Sequence, residues 1–189
     1  VNLNQTYTGQ GVVVGVIDTG FDYTHPTFYD ENVTENRISR VWEQNNNNGT
    51  APIFLGNTQF GSEFIGSVAI LNKEKDIINE THGTHVAGIA AGSGGVLNSN
   101  FKGVAYNSEI VLVSTNKNKV GIELGIIYII EYAQSVNKPA VINISLGAHY
   151  GPHDGSSEFD TSVDNYLSSV GDGYVIVGGA GNDGKKSYT

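Results

Sequence analysis

At 189 residues the chain is long enough for one domain with a sizeable core and too short for two ordinary ones. A net charge of −9 argues against a nucleic-acid partner, whose phosphates call for clustered Lys and Arg, and the absence of Cys removes disulfides and thiolate metal sites. No stretch approaches the roughly 18–20 unbroken apolar residues of a transmembrane segment.

The first predicted element is a strand over Val12–Ile17, an unbroken run of apolar residues and Gly that closes on Asp18. An Asn run from Asn45 to Gly49 reads as an exposed loop. Thr81–Ala91 reads as a helix of small residues, with Thr81 near its N-cap, followed by a second exposed loop over Ser93–Asn100. Ile110–Val113 is the next strand. Over Gly121–Val136 the residues Ile122, Ile126, Ile129, Ile130 and Ala133 fall three or four apart, which predicts a helix. Ala140–Ile144 and Tyr174–Val177 are further strands, separated by a helix over Asp160–Val170 carrying Val163, Leu167 and Val170. The strand runs lack alternation, as strands do when both faces are buried in a parallel sheet. Their alternation with helices implies right-handed crossovers and a three-layer α/β domain with a mainly parallel sheet. There is no internal repeat.

Four segments carry candidate chemistry. Asp18 stands beyond the carboxyl end of its strand, where functional groups of parallel sheets collect; a plain turn-forming Asp is the competing reading. His82, in Thr81-His82-Gly83-Thr84-His85-Val86-Ala87-Gly88, falls in the first turn of its helix. Gly83, Ala87, Gly88, Ala90 and Ala91 let that helix pack close to its neighbours and hold an imidazole with the precision that acid–base work needs. His82 and His85 could pair on a metal, but further ligands are lacking, and His85 reads as a hydrogen-bonded core residue. Asn182, in Gly178-Gly179-Ala180-Gly181-Asn182, could donate its carboxamide to an oxyanion or simply tolerate a left-handed turn. Ser145-Leu146-Gly147, at the end of the third strand run, offers main chain to an extended peptide.

Together these segments resemble the subtilase family of serine proteases. Val16-Ile17-Asp18-Thr19-Gly20, continuing into Asp22 and His25-Pro26, is similar to the segment around the family's catalytic Asp. His82 to Gly88 resembles the catalytic-His segment, Asn143-Ile144-Ser145-Leu146-Gly147 the strand lining the S1 pocket, and Ala180-Gly181-Asn182 the oxyanion-hole motif. All four stand in the family's order. The resemblance implies acyl transfer in which His82 is the base, Asp18 orients and stabilises it, and Asn182 holds the oxyanion. It also implies protein or peptide substrates and secretion or a cell-surface location.

Three departures qualify that resemblance. No Gly-Thr-Ser-Met-Ala-like nucleophile motif occurs, so the chain is expected to be the N-terminal part, residues 1–189, of one catalytic domain, inactive alone. The segment between Asp18 and His82 is enlarged and is expected to reshape one rim of the cleft. Thr27 stands where calcium-binding relatives carry Asp, and the Ser93–Asn100 loop matches their calcium loop poorly; no cofactor is expected. The loop from His149 to Gly155 is similar to that of the Csp-like bacterial subgroup and reads as polar, near the substrate edge. A domain lacking its remaining strands would expose apolar surface and an open sheet edge, which invites a complementary C-terminal fragment or self-association. Gly184 to Tyr188 reads as a cleavable loop. The sequence leaves two rival readings. Asp18-Thr19-Gly20 is also the aspartic-protease triplet, but it occurs once and on an α/β pattern. A pseudoprotease or peptide-binding module would keep the fold without the chemistry.

Overall fold

The computed structural model describes residues 6–54, 60–95, 101–147, 151–152, 154–182 and 184. Strands β1 (Val13–Asp18), β2 (Ile38–Glu43), β3 (Ser62–Ile65), β4 (Glu109–Ser114), β5 (Ala140–Ile144) and β6 (Tyr174–Gly178) form a single sheet in the order β3-β2-β4-β1-β5-β6. Only the β2–β3 pair is antiparallel. Helices α1 (Gly66–Lys73), α2 (His82–Ala91), α3 (Lys119–Ser135) and α4 (Glu158–Val170) flank it, giving the three layers expected.

On one face, Ile126, Ile129 and Ile130 of α3 pack on Val13 and Ile17 of β1, Val111 and Val113 of β4 and Ile142 of β5. On the other, Ala87 and Ala91 of α2 and Ile70 of α1 close over Val14, Val16, Ile110 and Leu112. The two central strands, β1 and β4, are thus buried on both sides, which is why they read as unbroken apolar runs.

β5 and β6 correct that reading. Ala140, Ile142 and Ile144 lie under α3 and α4, whereas Val141, Val175 and Val177 are 38 %, 53 % and 47 % exposed on the opposite face. Side chains alternate across a strand, and among the described residues α2 does not reach this far across the sheet. The unbroken apolar run is therefore half-exposed here.

The segment before α2 carries structure that the sequence reading does not predict. It supplies β2, β3 and α1, extending the sheet by two strands rather than only altering a rim. The Asn run is not wholly exposed: Asn46 is buried, and its amide donates to Glu43 at 2.7 Å while its carbonyl accepts from Ser62 Oγ at 2.5 Å. Glu43 is itself fully buried and meets Lys73 Nζ at 3.1 Å and the Tyr23 hydroxyl at 3.0 Å. Burial, and then the neighbouring Glu43 carboxylate, push the Tyr23 phenol well above its usual range. Among the described residues no helix is long and apolar enough to cross a membrane.

Candidate active site

Because the β4-β1-β5-β6 strands run parallel, their carboxyl ends share one edge. Asp18 stands beside Ser114 across the β1–β4 ladder, and Ile17, Ile144 and Gly178 form a row through β1, β5 and β6. The residues just past that row, Asp18, Ser145 and Gly179, therefore emerge side by side.

Asp18 is fully buried. Its Oδ1 accepts the Thr19 N–H at 2.7 Å, and the His82 ring places Nδ1 at 2.8 Å from Oδ1 and 3.0 Å from Oδ2. A carboxylate can only accept, so Nδ1 is the donor in this contact and Nε2 is the ring nitrogen turned away from Asp18. The His82 side chain remains 54 % exposed, and Nε2 has no partner among the described residues.

Two facts hold the pair together. Thr81 is the N-cap of α2 but makes no side-chain cap bond. Instead the turn after β1 supplies the acceptors: Gly83 N–H donates to the Thr19 carbonyl at 2.7 Å and Thr84 N–H to the Gly20 carbonyl at 3.1 Å. Two of the helix's orphan donors are thus satisfied by the same turn that carries Asp18. The second fact is close approach. A Cβ at Gly83 would lie 2.7 Å from the Phe21 ring and 2.8 Å from the Thr19 carbonyl oxygen, so only Gly lets His82 come this near β1. Thr19 Oγ1 further donates to Glu80 at 2.8 Å; that bond, and next the Lys117 ammonium, hold the Glu80 carboxyl below its usual range.

The other sequence-derived residues are placed less completely. Asn182 is exposed, past the end of β6 and beyond Gly181, which adopts φ +85°. Ser145 and Leu146 are half-buried and Gly147 exposed, continuing β5 beyond the Gly179 N–H to Ile144 carbonyl bond. β5 is an interior strand, so only this continuation is open to a peptide. Beside it runs a groove of about 660 Å³ with Ile122, Ile144, Leu146, Phe159 and Ile176 as its apolar lining and Lys117 and Lys119 on it. His85 corrects the sequence reading: it is exposed, not a core residue, and lines a second groove with Asp22, His25, Thr84 and Ile89 on the outer side of α2. His149, His153 and residues 185–189 lie outside the described residues, as do residues 96–100 of the Ser93–Asn100 loop.

Sequence reasoning missed Asp76. It is buried, and its carboxylate binds the turn after Asp18. It belongs to none of the four motifs; the only signal was an acidic residue directly ahead of the apolar pair Ile77-Ile78, shortly before the His segment.

A buried Asp at the end of a central parallel strand is thus bonded to a His in the first turn of the neighbouring helix, on an α/β sheet, an arrangement of the kind hydrolases use for acid–base chemistry. The chain belongs to the subtilase family: residues 9–189 match the model of that family, peptidase S8. It is 35 % identical to subtilisin of Bacillus pumilus over 193 aligned positions, covering 98 % of this chain and 53 % of that protein. It is 30 % identical to the subtilisin-like protease SBT2.1 of Arabidopsis thaliana, covering 94 % of this chain and 24 % of that one. Among solved structures, the CspB protease of Clostridium perfringens superimposes with a TM-score of 0.77 at 31 % identity, over 96 % of this chain and 38 % of that chain. The chain therefore spans about half the length, or less, of the relatives it matches, and the subtilisin-like fold and the affinity to a Csp protease are both borne out.

Proposed function

We propose that this chain supplies Asp18, His82 and Asn182 to a serine endopeptidase that cleaves peptide bonds by acyl transfer. The observation that carries the reading is the 2.8 Å contact of a fully buried Asp18 with a half-exposed His82 whose Nε2 has no partner among the described residues. A structural His–Asp pair has no need to keep its second nitrogen open.

In this reading Nε2 takes the proton of a serine hydroxyl as its oxygen attacks the scissile carbonyl. The Asn182 amide donates to the oxyanion, and the imidazolium, stabilised by Asp18, returns the proton to the leaving amine. Water then repeats the sequence on the acyl-enzyme. Ser145, Leu146 and Gly147 hold the substrate's main chain alongside the apolar groove. The route calls for no metal or organic cofactor. We place the nucleophile in the longer protein outside these residues, since no serine among those described hydrogen-bonds His82 and the relatives run to about twice this length or more. The chain alone is then inactive, and the complete protein is secreted or displayed at the cell surface, as subtilisins are.

The test is labelling by a fluorophosphonate of the 189-residue chain and of the full-length protein. Labelling of the full-length protein alone, abolished by His82→Ala, is the expected result. A folded full-length protein that stays unlabelled would mark a pseudoprotease.

A further inference from the structure

Asp76 lies six residues before His82 and is 4 % exposed. Its Oδ2 accepts two hydrogen bonds, from the Gly20 N–H at 2.8 Å and from Ser114 Oγ at 2.8 Å. Its Oδ1 accepts the Ile78 N–H at 3.1 Å, and its own N–H donates to the Phe21 carbonyl at 3.0 Å. Successive amides of one turn thus go to two different buried carboxylates, Thr19 N–H to Asp18 and Gly20 N–H to Asp76. Ser114 is the ladder partner of Asp18. A single side chain therefore fastens the turn that carries Asp18, the strand end beside it, and the segment that leads into His82.

We propose that Asp76 is a positioning residue for the Asp18–His82 pair; this rests on the reading given under Proposed function. Three donors converge on its two oxygens, and only a carboxylate accepts at both. An Asn there can turn one oxygen to Gly20 and Ser114 but must then present its NH2 to the Ile78 N–H, so the link lost is the local turn from Asp76 to Ile78, which sets the course of the segment leading into His82. The link matters because catalytic geometry is unforgiving: a misplacement of about 1 Å from a distant change can cost on the order of 10²-fold in rate. Nothing in the sequence motifs assigns Asp76 this part, and it touches neither a substrate nor the His82 ring.

The test uses the full-length protein and a peptide substrate. Asp76→Asn is expected to lower kcat by on the order of 10²-fold with KM little changed, because ground-state binding does not pass through Asp76. In an Asp18→Ala background the same substitution should cost nothing further, since residues acting as one unit are strongly non-additive. Should Asp76→Asn fail to fold, Ser114→Ala removes one donor from Oδ2 and should show a smaller kcat loss with the same non-additivity. An unchanged kcat, or an equal loss with and without Asp18, overturns the inference and marks Asp76 as structural. A wild-type full-length protein without peptidase activity overturns the functional reading itself.

Discussion

Gly20 packs against the backbone of Glu80 so closely that a Cβ on it would lie 2.4 Å from the Glu80 carbonyl carbon. Gly20 also adopts φ +81°, a conformation that costs an L residue about 1–2 kcal/mol. Steric overlap with backbone cannot be relieved by a rotamer change, so the turn and the segment before His82 must separate. We expect Gly20→Ala to lower the melting temperature and, in the full-length protein with the proposed activity, to reduce proteolysis by more than the loss of folded protein explains. Thermal denaturation and active-site titration of the same preparation separate the two effects. Full activity per folded molecule would show that the approach of Gly20 to Glu80 is not needed for the pair.

Asp18→Asn keeps the shape of the buried side chain but offers an NH2 or a neutral oxygen to His82. The bond at 2.8 Å then no longer fixes Nδ1 as the protonated nitrogen, and the imidazolium loses its counter-charge. In the Ser-His-Asp template this change costs roughly 10⁴-fold in turnover, and a loss of that order is expected in the full-length protein. KM should change far less. A loss below about tenfold would argue that the Asp18–His82 contact is structural.

Among the strands, the two central ones were legible because their residues face apolar neighbours on two sides; β5 and β6 were legible as well, because their Val and Ile run on even where one face is exposed. β1 and β4 announce themselves because Val13, Val14, Val16 and Ile17, or Ile110 to Val113, have no solvent face to mark with a polar residue. β2 escapes notice because its charges are paired internally: Arg40 meets Glu63 at 2.8 Å and Glu43 meets Lys73, so Ile38-Ser39-Arg40-Val41-Trp42-Glu43 shows neither a run nor a clean alternation. α1 is short and opens on Gly66-Ser67 without a capping side chain. At the site, Asp18 and His82 were readable from motif and position. The place of Asp76 was not, since it arises from three donors drawn from separate segments. His85 misled because a His within a small-residue helix gives no sign of which face it takes.

Glu109, at the start of β4, gives the stability a pH dependence of definite sign. Burial alone would raise its carboxyl, but hydrogen bonds from Lys138, Ser39 and Tyr132 outweigh this and hold it below the usual value of 4.5. In the unfolded chain Glu109 takes up its proton near 4.5 as the pH falls, while the folded protein resists. Stability from this group is thus complete above that pH and lost as pH drops through the lower folded value. Denaturant melts at neutral pH and between pH 4.5 and 3 should show a decline that is shallower for Glu109→Gln. An equally steep decline in that variant would assign the acid sensitivity to other carboxylates, such as Asp30, which hydrogen bonds from the Glu35 amide and then the Thr34 hydroxyl also hold low.

The β5–β6 face bears on what the chain does by itself. Val141, Val175 and Val177 form an apolar strip that no described helix covers, and among the described residues β6 is an edge strand of the sheet. Exposed apolar surface beside an unpaired edge favours association, because joining a second edge satisfies main-chain donors and removes the strip from water together. We propose that in the longer protein further chain covers this face, and that the 189-residue chain covers it with another copy. Light scattering should then find the 189-residue chain associated and the full-length protein monomeric. Val175→Lys with Val177→Lys should shift the short chain toward monomer, since each ammonium would have to be buried unpaired at the contact. A short chain that is monomeric and binds no apolar dye would show that the strip is tolerated in water, and the proposed covering by further chain would lose its physical ground.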